Sequence, residues 1–133
     1  MVQWGHMEIS EHYPPFSKKT LIIVTNNDSA RLFRVEERTM EQIKTLGRKP
    51  KEEMQEPYTT EERQKLYQQI NRQIKKHLKA DYEDVTLCAP EVRREPLIAE
   101  LDPAVLEVVG EVVPKNLASL DESQIMRILQ EGR

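Results

Sequence analysis

Apolar residues recur along this chain in two rhythms, one of strands and one of helices. Leu21-Ile22-Ile23-Val24 is a continuous, largely β-branched run, the pattern of a strand covered on both faces. Thr25-Asn26-Asn27-Asp28-Ser29 follows as turn chemistry, because Asn and Asp tolerate left-handed backbone and bond to nearby amides. Ala30 to Glu36 then alternates, with Phe33 and Val35 on one face and Ala30 and Leu32 on the other. Glu37-Arg38-Thr39 turns the chain again, and Met40 to Leu46 predicts a third strand. Gly47 to Tyr58 is a charged loop holding Pro50 and Pro57. Thr59-x-x-Glu62 matches a capping box and opens the clearest helix, about Thr60 to Lys79. Leu66, Ile70, Ile74 and Leu78 recur there every four residues, with Tyr67 beside them. Val85 to Ala89 predicts another strand, ended by Pro90. A short helix follows from about Arg93 to Leu101, with Pro96 confined to its first turn. Asp102-Pro103 starts a further turn, and Val105 to Val113 becomes a strand in its second half. Ser119-x-x-Glu122 is a second capping-box match, and Ile125, Ile128 and Leu129 form the stripe of a last helix.

This order predicts an α/β fold with a mixed sheet. An antiparallel three-strand meander comes first, then alternating helices and strands, whose crossovers imply parallel pairs. Residues 1–17, with Pro14 and Pro15 and no period, read as a flexible N-terminal arm, and 18–133 as a single α/β domain.

Composition narrows the function classes. A chain of 133 residues suits one domain and one core. The net charge is −3, so any nucleic-acid site must be local rather than a property of the whole molecule. Cys88 is the single cysteine, which excludes an intramolecular disulfide and a Cys-rich zinc site. No run of about 18 apolar residues exists, so no membrane partner is expected. The N-terminus lacks the apolar centre of a signal peptide, and the cytoplasm is the expected compartment.

Three stretches carry candidate binding residues. On the long helix Lys65, Arg72, Lys75, Lys76 and Lys79 fall within roughly a quarter of the circumference, opposite Leu66, Ile70 and Ile74. Five cations on one face suit the phosphates of RNA or an acidic partner. A solvated face of an amphipathic helix is the simpler explanation, and no aromatic residues interleave with the cations as single-strand binding favours. The turn at Asn26 and Asp28, with Arg31, follows the end of an apparently central strand, a common ligand position in α/β sheets. An ordinary hairpin turn, with Arg31 as a surface or structural ion-pair residue, is the simpler explanation. A metal-dependent nuclease needs converging carboxylates. The first strand carries none, and Glu36 lies too far along the next strand to pair with Asp28, so no metal is expected. Lys115 and Asn116, after Pro114, form the third candidate, beside its reading as a turn into the last helix. His6, His12 and His77 share no ligand spacing, and Cys88 inside an apolar strand reads as a buried, inert thiol.

The stretch from Thr20 to Val35, an apolar strand, an Asn/Asp turn and then Ala30-Arg31-Leu32-Phe33, resembles the opening of a bacterial family, "protein required for attachment to host cells". Leu87-Cys88-Ala89-Pro90-Glu91, Leu101-Asp102-Pro103 and Val113-Pro114-Lys115-Asn116-Leu117 look like the same family, so the resemblance covers roughly residues 20–131. That family is similar to bacterial and archaeal relatives of class 1 peptide-chain release factors. The resemblance implies a fold like the release-factor central domain, a ribonuclease-H-like mixed sheet. It does not extend to peptide release: the glycines stand at 5, 47, 110 and 132, so the Gly-Gly-Gln loop of release factors is missing from this sequence.

The expectation is a non-enzymatic interaction protein of this host-attachment, release-factor-like kind, with no cofactor and no catalytic residues. The alternative is a ribosome- or RNA-associated module using the basic helix face. A protein partner, ribosome or RNA, and a homo-oligomer all remain open. A clustered, uncovered basic face favours the alternative, whereas a carboxylate cluster around Asp28 favours an enzyme.

Overall fold

The structure, a computed structural model, describes residues 6–47, 58–80 and 82–131, without the side chain of His6. Most of the charged loop expected over Gly47–Tyr58 and the first residues of the expected arm lie outside the described residues.

The continuous apolar run becomes the centre of β2 (Phe16–Thr25), where Leu21, Ile22, Ile23 and Val24 are fully buried. β2 pairs antiparallel with β3 (Ser29–Glu37), and β3 pairs antiparallel with β4 (Thr39–Gly47), which is the expected meander. On its other side β2 pairs in parallel with β5 (Asp84–Cys88), and β5 pairs in parallel with β6 (Val109–Val113). Among the described residues the sheet has six strands in the order β1-β4-β3-β2-β5-β6, where β1 is His6–Glu8.

Alternation along the strands sorts the core into two halves. Leu21, Ile23, Ala30 and Leu32 face α1 (Thr60–Leu78), α2 (Arg94–Ala99) and α3 (Pro103–Val108). Ile22, Val24, Phe33 and Val35 face α4 (Glu122–Glu131). The α1 stripe buries Leu66, Tyr67, Ile70 and Ile74, and each aliphatic side chain so buried contributes about 1.5–3 kcal/mol. A 3₁₀ turn, Glu91–Arg93, precedes α2, and Pro96 lies in the first turn of α2 as its chemistry requires.

Two expectations are corrected. The arm is part of the sheet where it is described: β1 pairs with β4, and Ile9 is 3% exposed among Phe33, Val35 and Met40. Arg38 secures the following segment by donating to the carbonyls of Ser10 (2.9 Å) and Tyr13 (2.7 Å). An edge strand this short is held by backbone pairing, which leaves no periodic signature. The cap of α4 lies two residues later than Ser119. The Gln124 N–H donates to Asp121 Oδ1 (2.8 Å) and the Asp121 N–H donates to Gln124 Oε1 (3.2 Å). By contrast, the Thr59–Glu62 capping box of α1 forms as expected.

Candidate functional site

The basic face of α1 survives in part. Lys65, Arg72, Lys76 and Lys79 are exposed, and none has an ion-pair partner among the described residues. At 1.5 Å per residue, Lys65 to Lys79 spans roughly 21 Å along the helix. Exposed Gln68 and Gln69 lie on the same side, and Glu61 closes it at the helix N-terminus. Lys75 is different. It sits at the flank of the stripe, next to Asn71, and its Nζ is 2.8 Å from Asp102 Oδ2. Asn71 Oδ1 accepts from the Asp102 N–H at 2.9 Å, so this pair docks the start of α3 onto α1. The Lys75 ammonium, followed by Asn71, holds the Asp102 carboxyl below its usual range. Asp102 consequently makes no side-chain cap for α3.

The turn after β2 is closed by its own side chain. Asn26 Oδ1 accepts from the N–H of Asp28 (3.0 Å), the N–H of Ser29 (2.8 Å) and Ser29 Oγ (3.0 Å). Gly47 packs against this turn at φ 76°, where a Cβ would strike the Asp28 carbonyl, so β4 can end there only with glycine. Among the described residues no three of His, Cys, Asp and Glu gather in a way that could hold a metal.

Arg31 turns away from solvent, with a side chain 14% exposed. Its Nε and Nη2 donate to Gln42 Oε1 (3.1 Å each), and Nη1 donates to the carbonyls of Ala118 and Leu120. Nη2 also meets Glu122 Oε1 at 3.3 Å, and the guanidinium lies 5.0 Å from the Phe33 ring centre. A guanidinium has five N–H donors, and these contacts engage all of them. Arg31 is a clasp between the sheet and the segment leading into α4. Lys115 and Asn116 are exposed at the end of β6, and Asn116 Oδ1 accepts from the Ala118 N–H (3.3 Å). The structure therefore gathers Arg31 and the Asn116 loop around Ala118, on the opposite side of the sheet from α1. The two candidate regions do not form one site.

One feature has no sequence signal. A groove between α1 and α2 is lined by Arg63, Tyr67, Arg93, Pro96, Ala99 and Glu100, with Thr60 at one end. Tyr67 reads from its spacing as core, and Arg63 and Arg93 stand 30 residues apart, so only the docking of α2 on α1 assembles them. Elsewhere Cys88 is fully buried, and burial pushes its thiol up to about 12. His77 Nδ1 lies 2.7 Å from the Gln73 carbonyl, and its ring meets Tyr82 edge-on, a structural setting.

No family model matches the chain, and no curated protein matches it in sequence. Solved structures share its fold. S. cerevisiae Dom34, a translation termination-like factor involved in RNA quality control pathways and interacting with Hbs1, superposes with a TM-score of 0.56 at 14% identity. That match covers 85% of this chain and 33% of Dom34. An archaeal protein gives a TM-score of 0.54 at 15% identity, covering 84% of this chain and 34% of its own. The chain thus spans about a third of the length of each. The mixed α/β architecture expected from the strand order is the one observed, and it is similar in fold to about a third of Dom34.

Proposed function

We propose that this protein is a non-catalytic module that works at the ribosome, contacting RNA phosphates through Lys65, Arg72, Lys76 and Lys79. The observation that carries the reading is the uncovered basic row of α1, whose cations are exposed and unpaired among the described residues. The fold shared with a translation termination-like factor supports the ribosome as the place of action. The sequence, with no adjacent glycines, carries no Gly-Gly-Gln loop, so the role is binding rather than peptide release. On this reading the sheet is of the ribonuclease-H-like kind, and the protein is bacterial and cytoplasmic. The resemblance of Thr20–Val35 to the host-attachment family supports those finer assignments.

The test is co-sedimentation with ribosomes at low and moderate salt, for the wild type and for a triple reversal, R72E/K76E/K79E. Lys75 is left intact because it is committed to Asp102. The wild type should co-migrate with ribosomes in a salt-sensitive way, and the variant should remain at the top of the gradient. Each neutralised single-strand phosphate contributes about 0.7 to the salt slope, so the loss should be steep. Equal migration of the two proteins would remove the α1 row from any such role.

A further inference from the structure

The groove between α1 and α2, about 370 Å³ in volume, is walled in part by Tyr67, whose hydroxyl is an unmatched donor among the described residues. Tyr67 is 2% exposed, and its hydroxyl has no hydrogen-bond partner among the described residues. Burying such a group without a partner costs stability, so a ligand acceptor at that point gains a prepared donor. Burial raises the phenol's pKa, while the nearby charges of Arg93 and Arg63 oppose that rise. Both guanidinium groups retain donors. Among the described residues Arg93 engages only Nε, on Asn27 Oδ1 (2.7 Å), and Arg63 engages Nη1 on the Tyr58 carbonyl (2.8 Å) and Nη2 on Thr60 Oγ1 (3.3 Å).

The rest of the groove limits what that charge is attached to. Pro96 and Ala99 make an apolar wall, and Val92, beside Arg93 in the chain, is 76% exposed. At the far end the Glu100 carboxylate accepts from Gln64 Nε2 (2.9 Å) and Gln68 Nε2 (3.3 Å). A chain of phosphates would meet that carboxylate, whereas a single anion flanked by apolar groups would not. We infer that the groove receives one carboxylate, carried on an acidic and apolar peptide segment of a protein partner. The carboxylate accepts from the Tyr67 hydroxyl and from Arg63 and Arg93, while the neighbouring apolar side chains of the peptide cover Pro96, Ala99 and Val92. On α1 the groove lies away from the outward basic row, so the two sites fail independently.

The experiment is an NMR titration of the folded protein with N-acetyl-leucyl-glutamyl-leucine amide, with its glutamine counterpart and with inorganic phosphate. The acidic peptide should shift the amide signals of Thr60, Gln64 and Ala99 and saturate. The glutamine peptide should bind at least about tenfold more weakly, because it lacks the charge-assisted bonds. Tyr67→Phe and, separately, Arg93→Gln should each weaken the acidic peptide by about tenfold. Unchanged signals elsewhere would show that each variant is folded, and R72E/K76E/K79E should bind the peptide normally. No localised shift by about 10 mM peptide, equal affinity for the two peptides, or undiminished binding by Tyr67→Phe would each overturn the inference. Phosphate saturating the same signals while the peptide does not would also overturn it, in favour of a phosphate ligand.

Discussion

Arg31 and the outer row of α1 are both cationic and both stand out in the sequence, but the fold puts them to opposite uses. Every donor of Arg31 is engaged by the chain's own oxygens, from Gln42, Ala118, Leu120 and Glu122. Lys65, Arg72, Lys76 and Lys79 look outward from a helix whose nearby exposed side chains include Gln68 and Gln69. The difference lies in the acceptors rather than in the cation. Where distant carbonyls converge, a guanidinium becomes a brace. Where none do, the charge remains available to a partner. Lys75 stands between the two cases, one turn from the row yet tied to Asp102.

The strongest way to break this contrast is to remove the brace. Arg31→Met strands buried carbonyls and the Glu122 carboxylate, and should cost about 3 kcal/mol by urea denaturation with an unchanged m-value. A loss below about 1 kcal/mol would mean the clasp is idle and the guanidinium is free for a ligand after all.

Cys88 extends the contrast to a buried group that the fold keeps neutral. Its thiol, raised from 9.0 to about 12 by burial, should react with a disulfide reagent at neutral pH only as fast as the protein unfolds. The unfolded thiol ionises first, so this contribution to stability is complete below about pH 9 and is lost as pH rises toward 12. Rapid labelling of the native protein would contradict the burial.

A smaller effect, with the opposite sign, is expected at Tyr67. Tyr67→Phe removes a buried hydroxyl that has no partner among the described residues, and should stabilise the free protein by about 1 kcal/mol in thermal or chemical melts. A destabilised variant would indicate that the hydroxyl is already satisfied.

The finest test compares neighbours on one helix. Lys75→Met should lower stability slightly at neutral pH, and Lys76→Met should lose nothing measurable. Because the Asp102 carboxyl is held low, the Lys75 contribution is present above the ordinary carboxylate range and disappears as pH falls through the lowered value. The wild type and Lys75→Met should therefore converge in acid, and a constant difference would assign the loss to packing.

Much of the architecture was legible because it rests on periodicity. The run Leu21–Val24 marked the central strand, the alternation in Ala30–Val35 placed its side chains on the correct faces, and Thr59-x-x-Glu62 located the start of α1. Two elements were not legible. β1 is three residues long and held by backbone pairing to β4, which any sequence can make. The cap of α4 is made by Asp121 and Gln124, two residues beyond the Ser119-x-x-Glu122 match. Among candidate site residues, the row on α1 was readable because helical spacing alone sets which residues share a face. The commitments of Lys75 to Asp102 and Arg31 to Ala118 were not, since each partner is remote in sequence.

By itself, then, the sequence determined the order of elements, the two faces of the central strands and the angular position of the α1 cations, because each depends on local repeats of about 2 or 3.6 residues. The tertiary structure alone decided which cations keep their donors, since that depends on acceptors brought from up to 91 positions away. It alone also decided that Arg63, Tyr67 and Arg93 share a groove, because the pairing of β5 with β2 sets where α2 meets α1.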